Sequence, residues 1–238
     1  MKPRFPFQHP EIEAVLERQH AAANADKWKL IPRLPAYVWA RIRGSLADTA
    51  VQHRVFYDVY SAVTPERGAL LYLVARAVQA RRIVEFGSSF GISTIYLATA
   101  VRDNCSAEAA GSDSVRYVIG SEMEPHKLSG AAKNLHAAGL SDIATIFPGD
   151  ALETLQKVEG PLDLVFLDGR KDLYLPVLKL LKPKLRRGAV ILSDNIFTFD
   201  KEVALFLEYV HSGKNGFASS TLNISDGVEF SVFERSGE

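Results

Sequence analysis

Val84-Glu85-Phe86-Gly87-Ser88-Ser89-Phe90-Gly91 is the stretch on which the reading of the fold turns. A short apolar strand from Arg82 to Phe86 runs into a turn of small residues, and Ile92 to Val101 then reads as a helix. Small residues after a strand let a ligand approach the main chain closely. The dinucleotide pattern G-x-G-x-x-G is missing. The spacing Gly87-Ser88-Ser89-Phe90-Gly91 also satisfies G-x-S-x-G, with Ser89 as a nucleophile and Asp194 and His211 following in hydrolase order. Hydrolase elbows follow several strands, whereas this turn follows the first, and no HGGG-type segment precedes it. A glycine turn that merely tightens a strand–helix corner is the third alternative.

Upstream, Thr64-Pro65-Glu66 is a helix start, with a hydroxyl cap, proline at the first position and an acid in the first turn. That helix is expected to reach about Gln79. Downstream, strands are expected at Tyr117–Gly120, Ile143–Phe147, Leu162–Leu167 and Ala189–Leu192. They alternate with helices at Pro125–Ala138, Ala151–Val158, Leu173–Leu185 and Lys201–His211, and Asn104–Ser114 reads as a loop. Such alternation predicts an α/β, Rossmann-like, doubly wound and mostly parallel sheet. Phe217–Leu222 and Val228–Phe233 flank the turn signal Ser225-Asp226-Gly227 and predict a closing antiparallel pair. Residues 1–60 carry both tryptophans and no strand signal; they read as a helical extension, a cap or dimer arm, on a domain spanning 61–238.

The 238 residues are 47% hydrophobic and 24% charged, with 28 basic and 28 acidic side chains. The neutral balance gives no global pull toward nucleic acid or an anionic membrane. Cys105 stands alone, so neither an internal disulfide nor a zinc cluster is expected. Charges and prolines interrupt the N-terminal MKPRFPFQHPEIEAVLERQ before a signal-peptide core can form. The expected location is cytoplasmic.

The remaining candidates fall at strand ends, the edge where open α/β sheets bind ligands. Val118-Ile119-Gly120-Ser121-Glu122 ends in a carboxylate able to accept both hydroxyls of a ribose. Gly149-Asp150-Ala151 follows the next strand and offers a carboxylate to an adenine amino group. Leu167-Asp168-Gly169-Arg170-Lys171-Asp172 and Ser193-Asp194-Asn195 end two further strands. Neighbouring strands lie about 4.8 Å apart, so Asp168 and Asp194 can converge, with Asn195 adding a neutral oxygen. Hard oxygen donors suit Mg²⁺, Mn²⁺ or Ca²⁺; the plainer alternative is that both acids cap helices. Lys171 beside a dication would have its ammonium destabilised and could take a proton from a metal-bound hydroxyl; paired with Asp172, it would be only a surface lysine.

These residues together resemble the cation-dependent small-molecule O-methyltransferases, the class I S-adenosylmethionine-dependent family that includes catechol and caffeoyl-CoA O-methyltransferases. The resemblance covers roughly Thr64 to Phe233. Its most specific part is FLDGRKDLYLPVLKLLKPKLRRGAVILSDNI, followed by TPERGALLYLVARAVQARRIVEFGSSFGIST and SDGVEF. It implies transfer of a methyl group from S-adenosylmethionine to a hydroxyl of a small, catechol-like molecule, with Mg²⁺ (or Mn²⁺ or Ca²⁺) held by Asp168, Asp194 and Asn195. Lys171 is then the general base. Thr64, Glu85, Gly87, Ser89, Phe90, Ser93, Glu122, Asp150, Ala151 and Asp168 are implied around the donor, and a homodimer is the expected assembly. Gly169-Arg170 departs from the aromatic-containing pair of the catechol enzymes, and Ser220 stands about where those enzymes carry a substrate-binding glutamate. A metal-independent methyltransferase and a non-catalytic nucleoside-binding module are the competing readings.

Overall fold

The computed structural model describes residues 5–43, 51, 62–105 and 115–234. A seven-stranded sheet forms the centre: β1 Arg82–Phe86, β2 Tyr117–Glu122, β3 Ala144–Pro148, β4 Leu162–Leu167, β5 Leu185–Asp194, β6 Phe217–Leu222 and β7 Val228–Phe233, in the order β3-β2-β1-β4-β5-β7-β6. The first five are parallel, and β7 runs antiparallel to both β5 and β6. The order reverses between β1 and β4, which makes a switch point of their C-terminal ends.

Consecutive strand residues point to opposite faces. Ile83, Val118, Leu164, Phe166, Val190 and Leu192 join one core; Val84, Phe86, Val165, Leu167 and Ile191 join the other. Both faces are covered, so these strands are apolar throughout rather than alternating. The first core is closed by α1 (Pro10–Asp26), α3 (Pro65–Ala77), α4 (Ile92–Cys105) and α5 (Pro125–Ala137). The second is closed by α6 (Ala151–Thr154), α7 (Tyr174–Leu181) and α8 (Ala204–His211). Truncating a fully buried leucine such as Leu164 to alanine in such a core costs about 2–5 kcal/mol.

The expected order of elements is present, with shifted ends. β5 runs from Leu185 rather than Ala189, because Leu185 pairs with Leu162 across a register shift. The expected helix Leu173–Leu185 is α7 flanked by two 3₁₀ turns. Pro183 lacks an N–H and crowds the preceding turn, so the α-helix ends at Leu181. Helix Ala151–Val158 likewise shortens to α6 and a 3₁₀ turn. Asn104 and Cys105 lie in α4, and the rest of the loop expected at Asn104–Ser114 lies outside the described residues.

The N-terminal segment is helical in α1 and α2 (Leu34–Arg43), joined by a 3₁₀ helix. α1 buries Ile12, Val15 and Leu16 in the first core. Gln19 Nε2 donates to Asn134 Oδ1 at 2.7 Å, and His20 Nε2 lies 3.0 Å from the Tyr96 hydroxyl. α2 buries Ala40 alone, and Arg41 donates to the carbonyl of Thr198 beyond β5. No helix among the described residues is long and apolar enough to cross a membrane.

Candidate active site

The turn after β1 is held from three sides. Gly87 N and Ser88 N both donate to Ser121 O on β2. Asp168 N donates to Phe86 O at 2.9 Å, joining the ends of β1 and β4. Gly87 has φ +92°, and a Cβ there would lie 2.5 Å from Gly169 Cα and N. Main chain therefore passes main chain at Gly87 with no space for a methyl group, while Gly169 is held bare for another reason: a Cβ there would lie 2.5 Å from the Phe86 ring.

Glu122, at the tip of β2, binds this turn directly. Its Oε2 accepts from Ser89 N at 2.7 Å and its Oε1 from Glu124 N at 2.9 Å. Its carboxylate is thus fixed beside the loop. Glu85 is fully buried beneath the same turn. Its Oε2 accepts from Ser88 Oγ at 2.7 Å and from Thr94 Oγ1, while Oε1 is buried with no partner. Burial pushes the Glu85 carboxyl up; hydroxyls of Ser88, Ser93 and Thr94 pull it down, and the negative charge of Asp168 adds to the rise.

Asp150 N-caps α6 through Oδ1, which accepts from Leu152 N at 2.8 Å, and Ala151 is the buried first residue of that helix. Thr64 N-caps α3 through Arg67 N. The Phe90 ring packs edge-on against His126, with centroids 6.0 Å apart.

Asp168 follows β4 and Asp194 ends β5, where the register pairs Leu167 with Ser193. Lys171 Nζ donates to Asp168 Oδ1 at 3.0 Å. The same ammonium lies 5.1 Å from the Tyr174 ring centroid and 5.6 Å from that of Phe199. Its partner is therefore Asp168 rather than Asp172, which Arg170 holds at 2.6 Å. Asp194 Oδ1 accepts from Asn195 N at 2.8 Å, and Oδ2 from Arg67 Nη1 at 2.7 Å. Burial first, and the charge of Asp168 second, push the Asp194 carboxyl up to about 7, against the pull of Arg67 and Lys171. Asn195 sits at φ +61° and its Nδ2 donates to Asp226 at 3.3 Å. Among the described residues no three His, Cys, Asp or Glu side chains group closely enough to hold a metal.

The geometry gives no Ser–His–Asp arrangement. Asp194 is engaged by Arg67, and His211 Nε2 lies 2.8 Å from the buried Glu229. Arg67, Tyr174 and Phe199 are the residues at this site that the linear pattern does not reveal.

The sheet order, the glycine turn bound to the β2 acid and the acidic ends of β4 and β5 define the class I methyltransferase fold. Residues 84–196 match the profile of a methyltransferase domain family. The chain is 37% identical over 136 residues to a catechol O-methyltransferase of Mycobacterium tuberculosis, an alignment covering 57% of each protein. It spans somewhat more than half the length of the curated relatives it matches. Among solved structures, it is similar to an O-methyltransferase from Streptomyces achromogenes involved in tomaymycin synthesis, crystallised with S-adenosylmethionine. That likeness has 25% identity, a TM-score of 0.65, and covers 82% of this chain and 90% of the other. An O-methyltransferase from Bacillus cereus in complex with S-adenosylhomocysteine shares the fold, with a TM-score of 0.68 at 20% identity, over 96% of this chain and 93% of that one. The resemblance to S-adenosylmethionine-dependent O-methyltransferases read from the sequence is thereby borne out.

Proposed function

We propose that the chain transfers a methyl group from S-adenosylmethionine to a hydroxyl of a small aromatic diol, with a divalent cation at Asp168 and Asp194. The observation that carries this reading is the meeting, at one sheet edge, of the Glu122-bound glycine turn and the Asp168–Lys171–Asp194 group, with the two halves joined at Gly87 and Gly169.

On this reading the ribose hydroxyls donate to Glu122, and the adenine amino group to Asp150. The cationic methionine end lies toward Glu85 and Asp168, where the negative charge of Asp168 favours it. The side chains present suit a hard dication: Asp168 and Asp194 offer carboxylate oxygens, and Asn195 the amide oxygen. When bound, the cation supplies Lewis acidity that lowers the pKa of a coordinated hydroxyl. Lys171, in its neutral form, accepts the hydroxyl proton at Nζ. The oxygen attacks the methyl carbon, the S–CH₃ bond breaks with its electron pair passing to sulfur, and the neutral thioether departs. Holding the two reactants in line converts a bimolecular encounter into an oriented one.

The test is an acceptor screen over catechols and related diols that reads S-adenosylhomocysteine formation with and without Mg²⁺. Chelation should abolish turnover while donor binding survives. Lys171→Ala should lose the chemical step by about 10²–10⁴-fold and still bind donor. Full turnover in chelator, and in Asp168→Ala and Asp194→Ala, would leave a metal-independent methyltransferase. That second reading draws support from the neutralisation of Asp194 by Arg67 and of Asp168 by Lys171.

Trp28 and Ile31 on the 3₁₀ helix, and Leu34, Trp39 and Ile42 on α2, are exposed. A row of this kind supports a homodimer, for which light scattering of the purified chain is the direct measurement.

A further inference from the structure

Arg67 lies in the first turn of α3, beneath the ends of β4, β5 and β7. Its side chain is only 9% exposed and that of Asp194 only 3%. Nη1 holds Asp194 Oδ2 at 2.7 Å, whereas Nε and Nη2 are buried with no hydrogen-bond partner. Arg67 borders a small cavity together with Leu70, Leu71, Phe166 and Leu192.

A buried guanidinium with two idle donors is an expensive occupant of an apolar pocket. Leucine or methionine would fill the same space at no such cost. What the arginine gains there is Asp194, so its role is to be found in that contact.

The formal charges decide what the contact does. Asp168 and Asp194 are matched one for one by Lys171 and Arg67. A dication approaching this group meets a neutral cluster instead of an acidic one. The guanidinium keeps its charge as the dication arrives. Both Asp194 oxygens already accept hydrogen bonds, and one of them would have to be shared with the metal or surrendered to it.

We infer that Arg67 is a positioning residue that competes with the divalent cation for Asp194, weakening metal binding while keeping the acid oriented in the metal-free protein. The inference rests on Asp168 and Asp194 being metal ligands.

The experiment is a Mn²⁺ titration of the full chain, freed of metal by chelator and dialysis, read by electron paramagnetic resonance of the unbound ion. Arg67→Met and Arg67→Gln each remove the charge. Each should bind Mn²⁺ at least tenfold more tightly than the wild type. Arg67→Lys should stay nearer the wild type, and Asp194→Asn added to either neutral variant should erase the gain. Wild-type binding with no gain in a folded neutral variant overturns the inference and leaves the metal reading standing. No Mn²⁺ binding by the wild type or by any Arg67 variant overturns both.

Discussion

Replacing Glu122 by alanine removes two hydrogen bonds to main-chain N–H groups, at 2.7 and 2.9 Å. Hydrogen bonds to a charged acceptor contribute about 1.5–3 kcal/mol each, which bounds the loss at about 3–6 kcal/mol. Glu122 is half-buried, so both freed N–H groups can turn to water. The expected loss of stability is therefore nearer about 1–2 kcal/mol, a fall in Tm of about 2–8 °C for a chain of this size. The effect on the donor is separate. Ribose hydroxyls without their acceptor lose about 1.5–3 kcal/mol, or roughly 10–150-fold in Kd. Glu122→Gln keeps one acceptor oxygen and should fall between. Thermal unfolding reads the first effect, and isothermal titration with S-adenosylhomocysteine reads the second. A folded Glu122→Ala protein with wild-type affinity would refute the assignment of the ribose to this carboxylate.

Gly87→Ala should destabilise by about 2–5 kcal/mol, combining left-handed backbone strain with overpacking against Gly169; a urea midpoint equal to the wild type would show that the seam has room. The wild type should show no esterase activity and should not react with a fluorophosphonate; stoichiometric labelling at Ser89 would restore the hydrolase reading. Burial lowers the pKa of His20 below 6.5, with the charge of Glu66 opposing. The unfolded chain then binds more protons than the folded one below that value, so stability falls as pH drops through it. His20→Gln should flatten this decline in urea midpoints between about pH 5 and pH 7.5; an unchanged slope would assign it to other groups.

The strands β1 and β4 and the closing hairpin were legible to the residue, because β1 and β4 are short, largely apolar runs bounded by glycine or a turn and the hairpin strands flank Ser225-Asp226-Gly227. β5 was only partly legible. Arg186-Arg187-Gly188 reads as a loop by composition, yet it is drawn into the strand by pairing at Leu185, which no local pattern encodes. Of the candidate site, the meeting of Glu122, Asp168, Lys171 and Asp194 could be read because strand ends in an open sheet share one edge. Asp150 shows the limit of such reading: a strand-end acid looks the same whether it caps a helix or meets a ligand, and here it does cap one. Arg67 was hidden for a different reason. An arginine after Thr-Pro-Glu in a helix's first turn reads as solvent-facing, and only the depth at which α3 packs on the sheet sends it to Asp194. The aromatic rings around Lys171 likewise come from segments after β4 and β5 whose paths the sequence does not specify.

The crossing of Gly87 and Gly169 has a mechanical consequence. Main chain meets main chain at Gly87, and the Phe86 ring packs against Gly169, so close contact on both sides sets the distance between the two halves of the edge. On the proposed reading, the spacing between the donor sulfur on one side and the acceptor oxygen on the other is then set by the sheet itself. On the same reading, selectivity for the acceptor falls to the segment after β5, where Phe197 and Phe199 stand and where Arg41 of α2 ties down the carbonyl of Thr198. Exchanges along that rim can alter which molecule is accepted without disturbing how far the methyl group must travel.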